Sequence, residues 1–358
     1  MDDKLLMIPG PTGLPPEVRA ALSRPMIGHR TAEFGELLRR CTELLQELYC
    51  TRNDVLLLTA SGTGAMEAAI VNTLSPGDKV LSVSVGHFGE RLGTIAATFG
   101  AEVTWLRGEW GQAADPTAVA EALAADDYAA VLFTQNETST GVTNPVRDLA
   151  GVAGERGVLT IIDAISGLGG VELRTDDWGL DVVVSGSQKA MMLPPGLAFV
   201  SMSGRAWERA AGARMPRFYF DLVKARASLH DKAQTPYTPN VSMCFALETA
   251  LTMLHDEGIE AVWARHAHCA DLVRAGVQRL GLRLFADPPH ASNVVTSFLP
   301  PEGREASTIT KPLWERHGIL ISGGQGKLSG KIARIGHLGT INEEQVNRTL
   351  KALEAVLR

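Results

Sequence analysis

A lysine and an aspartate carry the strongest chemical signal in this 358-residue chain. Lys189 follows the apolar run Val182-Val183-Val184 and the turn Ser185-Gly186-Ser187-Gln188, while Asp163 closes a second apolar run, Leu159 to Ile162. An amine at the mouth of a sheet can condense with an aldehyde. A carboxylate from a neighbouring strand can keep a pyridine nitrogen protonated, so that the ring accepts electrons. Together they are the minimum needed to hold pyridoxal 5'-phosphate. A lone lysine past a strand is more often a solvated charge, so the weight rests on the residues that accompany it.

Positioning such a pair requires strands whose ends face one way. Val55 to Thr59, Lys79 to Val85, Glu102 to Leu106, Ala129 to Phe133, Val158 to Asp163, Val182 to Ser185 and Ala198 to Met202 read as strands. Helical spacing fills Gly64 to Thr73, Gly89 to Phe99, Pro116 to Ala124 and Pro145 to Arg156. This alternation predicts an α/β fold with a mostly parallel seven-stranded sheet flanked by helices, and ligands bind such sheets beyond the carboxyl ends of the strands. From Val241 a long helical pattern runs to Leu280, then short strands around Asn293 to Phe298 and Ile332 to Ile335 precede a last helix from Glu343, a smaller α+β unit. The expected organisation is an N-terminal segment over 1–15 at the small-domain and dimer interface, a large domain over 16–250 and a small C-terminal domain over 251–358.

Several predicted strand ends carry segments suited to one phosphorylated ring. Ser61-Gly62-Thr63-Gly64 opens a helix, whose free N–H groups and dipole favour a phosphate; the plainer alternative is a capped turn with Ser61 or Thr63 as N-cap. Phe88 could stack on a flat ring, or simply fill core. Gln135 to Gly141 is a polar loop able to hydrogen-bond a phenolic oxygen, or an ordinary Asx or ST turn. Gly326-Lys327 and Gly330-Lys331 lack the following Ser or Thr of a P-loop. His266, His268 and Cys269 do not face one way on a helix, which argues against a metal. Asp176-Asp177 reads as a solvated turn.

Composition narrows the partners. Hydrophobic residues make up 45% and charged residues 21% of the chain, and a net charge of -6 gives no electrostatic reason to expect nucleic acid or an anionic membrane. No apolar run is long enough to span a bilayer, and the start lacks the pattern of a signal peptide. Cys41, Cys50, Cys244 and Cys269 are scattered without a CxxC pair, as expected of reduced thiols in a cytoplasmic protein.

Taken together, the motifs Ser61-Gly62-Thr63-Gly64, Asn136-Glu137-Thr138-Ser139-Thr140-Gly141, Asp163-Ala164-Ile165-Ser166-Gly167, Ser185-Gly186-Ser187-Gln188-Lys189 and Arg334-Ile335-Gly336-His337 resemble the class V group of fold-type I pyridoxal-phosphate enzymes. The closest resemblance is to the alanine:glyoxylate and serine:pyruvate (or serine:glyoxylate) aminotransferases. It implies that Lys189 carries the cofactor and shuttles the proton, that Asp163 pairs with the ring nitrogen, that Ile165 packs on the ring and that Thr138 meets its phenolic oxygen. It also implies that Phe88 stacks where close relatives often have Trp. Ser61, Gly62, Thr63 and Gln188 would hold the phosphate, Thr63 standing where some relatives have His. Thr235 and Thr238 would reach the phosphate of a neighbouring subunit in a homodimer, and Arg334 would grip the substrate carboxylate. The implied activity is ping-pong transfer of an amino group from alanine or serine to glyoxylate or pyruvate, there being no evident second basic group for a dicarboxylate. Alternatives are a cysteine desulfurase-like lyase, a transaminase for 2-aminoethylphosphonate or a ureido amino acid such as ureidoglycine, and a non-catalytic accessory subunit.

Overall fold

The structure is a computed structural model that describes residues 4–358; residues 1–3 of the expected N-terminal segment lie outside the described residues. Leu5–Leu6 forms β1, followed by helices α1 (Pro16–Leu22) and α2 (Ala32–Tyr49). Strand and helix then alternate through β2 (Val55–Leu58), α3 (Gly62–Thr73), β3 (Lys79–Ser84), α4 (His87–Thr98), β4 (Glu102–Arg107), α5 (Pro116–Ala124) and β5 (Ala130–Thr134). The hairpin of β6 (Asn136–Glu137) and β7 (Val142–Thr143) leads to α6 (Val146–Glu155), β8 (Leu159–Asp163), β9 (Val182–Gly186) and β10 (Ala198–Met202). Four helices come next: α7 (Gly204–Gly212), α8 (Leu222–Lys232), α9 (Val241–Glu257) and α10 (Ile259–Arg279). The chain closes with β11 (Val295–Phe298), α11 (Ser307–His317), β12 (Ile319–Leu320), β13 (Ser322–Gly323), β14 (Ala333–Gly336) and α12 (Glu343–Leu357).

The central sheet has seven strands in the order β2-β10-β9-β8-β5-β3-β4, and β10 alone runs against the rest. These are the seven strands expected from the sequence, shifted by a residue or two at their ends. Both faces of the sheet are covered, which is why the strands are nearly continuous apolar runs instead of alternating ones. Side chains on one face, among them Leu57, Leu81, Phe133, Ile162 and Phe199, join a core with helices α2, α6 and α9. Those on the other, among them Leu56, Val80, Leu132, Val184 and Val200, pack with α3, α4 and α7.

The helical pattern read as continuous from Val241 to Leu280 is two helices broken at Gly258, whose φ of 84° lies in the left-handed region that glycine adopts at little cost. The partners change there: α9 packs on α1 and α2, while α10 packs on α12 and β11. The expected boundary at residue 250 therefore falls within α9. Beyond it, β11, β14 and β13 form a three-stranded antiparallel sheet over a separate apolar core. The N-terminal segment joins this unit, because β1 pairs in parallel with β12 and the Gly336 amide donates to the Met7 carbonyl at 2.7 Å. That crossing leaves no room at Gly336: a Cβ there would lie 2.2 Å from the Ile8 backbone. Its consequence is to deliver Pro9 and Gly10 to Lys189.

Candidate active site

Strands β8 and β9 are neighbours, with Asp163 opposite Val184, so the end of one places Asp163 beside the turn that carries Lys189. The Asp163 carboxylate is buried and accepts one hydrogen bond, from the Ile165 amide at 2.8 Å. Among the described residues no cation lies within ion-pair distance of it. Burial pushes its pKa up to about 7; Glu137 adds to the rise, and the Ile165 amide, Lys189 and Arg91 oppose it. Lys189 Nζ donates to the Pro9 carbonyl. Burial pulls this amine down to about 8, with Arg334 and Arg91 in the same direction and Asp163 against them. Gly10, at φ +119°, lies flush with the amine, since a Cβ there would come within 2.7 Å of Lys189 Nζ. The result is a buried carboxylate and a buried amine whose pKa values burial draws toward each other, to about 7 and about 8.

Ser61 occupies the N-cap place of α3, yet its side chain makes no capping bond. Among the described residues the amides of Gly62 and Thr63 have no acceptor either, leaving the positive end of the helix available to an anion. Ile165 covers this turn closely, as a Cβ on Gly62 would lie 2.6 Å from Ile165 Cδ1. Gln188 stands at the same place: a Cβ on Gly186 would lie 3.0 Å from Gln188 Oε1 and 3.2 Å from Gly62 Cα. That amide oxygen is a buried acceptor without a donor, so only the Nε2 end of the same amide could donate to an anion.

On the far side, Thr138 is buried, donates to Ser166 Oγ at 2.8 Å, and accepts at its carbonyl from Arg334 Nη1 at 2.9 Å. Arg334, on β14, is 4% exposed and also donates to the Gly323 carbonyl at 2.9 Å. No carboxylate lies within ion-pair distance of it among the described residues, and burial lowers its pKa to about 10. A buried, unneutralised guanidinium is costly unless an anion joins it. Phe88, at the start of α4, lies half-buried against the Arg91 guanidinium, 4.7 Å from the ring centroid.

Lys189, Asp163, Ile165, Gln188, Ser61, Gly62, Thr63, Phe88, Thr138 and Arg334 thus converge on the carboxyl ends of the parallel strands and the adjoining edge of the C-terminal unit. Thr235 and Thr238 do not meet them within the chain. They line a small cavity with Leu57, Tyr219 and Pro236, and Thr235 Oγ1 donates to the Tyr237 carbonyl at 2.7 Å. The two histidines weighed against a metal lie apart: His266 is buried against the Val262 carbonyl, and His268 meets Glu343. Asp176 is more than a solvated turn, since its carboxylate accepts from Thr51 Oγ1, the Arg52 amide and Asn53 Nδ2.

Four residues had no assigned role in the sequence. Glu137 is fully buried and accepts from the amides of Phe88, Gly89 and Ser139 at 3.0–3.1 Å and from Ser139 Oγ at 2.6 Å. It fixes the turn bearing Phe88 at the start of α4, where an anion is favoured by the helix dipole. Arg91 was legible only as a residue one turn beyond Phe88. Its Nη1 donates to Thr63 Oγ1 and its guanidinium lies over Phe88, a second cation at the turn that opens α3. Pro9 and Gly10 come from the other end of the chain, and no local pattern points to Lys189.

The residues present fit pyridoxal 5'-phosphate: a buried amine for its aldehyde, a buried carboxylate without an ion-pair partner among the described residues for its ring nitrogen, and the free amides of Gly62 and Thr63 for its phosphate. The chain matches the Aminotransferase class-V family over residues 17–338. It is 44% identical to a soluble hydrogenase 42 kDa subunit of Anabaena cylindrica, over 100% of this chain and 94% of that one. It is 38% identical to an L-aspartate–glyoxylate aminotransferase of Paracoccus denitrificans, over 98% of this chain and 90% of that one. Further relatives are named serine–glyoxylate and alanine–glyoxylate aminotransferases. Among solved structures, an alanine–glyoxylate aminotransferase from Nostoc is similar with a TM-score of 0.96 at 31% identity, over 100% of this chain and 96% of that one.

Proposed function

Because this chain belongs to the class-V aminotransferases, a family of pyridoxal-phosphate enzymes, we propose that it transfers an amino group from alanine or serine to glyoxylate or pyruvate. The observation that carries this reading is Arg334, a buried guanidinium without a carboxylate partner among the described residues, whose neighbour Thr138 also belongs to the Asp163 side of the site. Arginine binds a carboxylate with two parallel bonds, so one such residue suits a donor with a single carboxylate. Arg91, the second cation, is engaged with Phe88 and Thr63 instead of standing beside Arg334. Relatives named for glyoxylate support that acceptor.

Bound pyridoxal 5'-phosphate supplies an aldehyde that accepts the amino group and a cationic ring that draws charge from the donor's Cα. Lys189 would hold the aldehyde and, once released, move the proton at Cα, for which an amine lowered to about 8 is suited. Asp163 would hold the ring nitrogen protonated, the cation there supplying the counter-charge that the carboxylate lacks. Ser61, Gly62, Thr63 and Gln188 would bind the phosphate, Ile165 and Phe88 would sandwich the ring, and Arg334 would orient the donor. Thr235 and Thr238 would complete the site of a second subunit in a homodimer; their loop adjoins the exposed side chains of Phe218 and Tyr219. Among the described residues no helix is long and apolar enough to cross a membrane, and the four unpaired cysteines suit a cytoplasmic enzyme.

A matrix of donors against glyoxylate and pyruvate tests the assignment. Alanine or serine is expected to give the highest kcat/KM, with parallel lines in double-reciprocal plots; aspartate or glutamate far ahead of both would overturn it. The names of the hydrogenase-subunit relatives favour one second reading, a non-catalytic accessory subunit. A purified protein that remains colourless after addition of the cofactor would support that reading.

A further inference from the structure

We propose that Arg91 is a binding residue for the cofactor's phosphate in this chain, contributing the formal positive charge that Ser61, Gly62, Thr63 and Gln188 do not. The inference rests on the pyridoxal-phosphate reading above. The phosphate of the cofactor is an anion of charge close to -2, and the cradle at the start of α3 offers only amides, hydroxyls and a helix dipole worth about half a charge. A buried anion of that charge calls for a cation.

Arg91 is placed to be that cation. It rises from α4, one turn beyond Phe88, and crosses to the first turn of α3, where Nη1 donates to Thr63 Oγ1 at 3.3 Å. Its other amino group lies 3.4 Å from His87 Nε2, and the guanidinium carbon lies over Phe88, 4.7 Å from the ring centroid. Neither contact neutralises it, and among the described residues no carboxylate lies within ion-pair distance. A partly buried arginine with one long hydrogen bond to a hydroxyl has donors to spare. Its charge also reaches the centre of the site, opposing the rise at Asp163 and adding to the fall at Lys189. Among the described residues the helix start contributes two amides with no acceptor, and Gln188 borders the same turn. Arg91 brings formal charge to that turn through its contact with Thr63.

Cofactor affinity, read from the visible absorbance of apo-protein titrated with pyridoxal 5'-phosphate and with pyridoxal, separates this role from bracing of Phe88. R91Q is expected to weaken the phosphorylated form by about 10- to 100-fold and pyridoxal by less than about threefold, with R91K recovering most of the loss. A second neutral variant, R91M, keeps an unbranched apolar side chain beside Phe88 without the charge and is expected to behave as R91Q does. On the unaltered apo-protein, inorganic phosphate is expected to compete with pyridoxal 5'-phosphate and not with pyridoxal. Equal losses of both ligands in the neutral variants, unchanged affinity for the phosphorylated form, or absence of phosphate competition would overturn the assignment to Arg91. An unaltered protein that binds neither form would instead remove the functional reading on which it rests.

Discussion

Two buried aspartates lie at opposite ends of the strand pair β8 and β9, and they are held in opposite ways. Asp181, just before β9, accepts from the Thr160 amide at 3.1 Å, from Thr160 Oγ1 at 3.4 Å and from Ser203 Oγ at 2.7 Å, with Arg205 Nε 3.8 Å away. Asp163, at the carboxyl end of β8, accepts from one amide and, among the described residues, has no cation within ion-pair distance. The first is a fastener joining three neighbouring strands at their bases. The second is an anion left under-compensated where a cationic ligand is proposed. Chains tolerate such a deficit where something outside the chain makes it good, so the contrast separates the structural end of the sheet from the chemical one.

The largest expected effect lies at the chemical end. Lys189→Ala should lose the visible absorbance band and lower kcat by at least about 10³-fold, the scale of a removed proton-transfer group, while circular dichroism and melting temperature stay near those of the unaltered apo-protein. Retention of both band and turnover would place the chemistry elsewhere. The same substitution at the two aspartates should then give stabilities of different size. Asp181→Asn leaves strongly polarised donors facing a weaker acceptor and should destabilise the chain by about 3 kcal/mol. Asp163→Asn should instead raise the stability of the apo-protein at pH 8, because it removes a buried carboxylate whose pKa burial has pushed up to about 7, while lowering turnover. Urea denaturation of both variants checks the ordering, and equal losses would remove the distinction.

Titration sharpens it. An aspartate in an unfolded chain ionises near about 3.9, whereas Asp163 in the fold ionises near about 7. Between those values the folded chain retains a proton that the unfolded chain has released. This group's contribution to apo-protein stability therefore falls as pH rises through the window and levels off above it. Asp163→Asn should remove that slope, and bound cofactor should flatten it by giving the carboxylate a cation. Melting temperatures between pH 4 and pH 8 for apo-protein, holo-protein and variant measure this directly; parallel curves for all three would contradict the assignment.

The sheet was legible in the sequence because strands covered on both faces are written as continuous apolar runs, and Val182-Val183-Val184 or Val131-Leu132-Phe133 admit few other readings. Residues at the ends of those runs were legible for the same reason, since the strand that carries Lys189 also fixes where it emerges. What escaped depended on contacts across the chain. Pro9 and Gly10 reach Lys189 through the pairing of Leu5–Leu6 with Ile319–Leu320, which two short apolar pairs do not announce. Arg91 looks in sequence like any charged residue on a helix, and its contact with Thr63 exists only once α3 and α4 are packed. Gly258 could have been read as a helix break, but the apolar spacing on both sides continued past it. Thr235 and Thr238 require a second subunit to acquire a role, and a single chain gives them only local contacts.

The smallest expected effect probes the structural end again. Thr160 Oγ1 accepts from the Asp181 amide at 2.9 Å and donates weakly to its carboxylate at 3.4 Å, so its hydroxyl serves the fastener and touches nothing at the site. Thr160→Val keeps the shape and removes both bonds, leaving the Asp181 amide without its acceptor. The expected cost is about 1–2 kcal/mol in urea denaturation. Neither the visible band nor kcat should move, because the strand's carboxyl end, with Asp163 still opposite Val184, is set by the unaltered ladder. A fall in turnover at unchanged cofactor affinity would mean that the two ends of the β8–β9 pair are mechanically coupled, and that the division between fastener and reactive anion is less sharp than their hydrogen bonds make it.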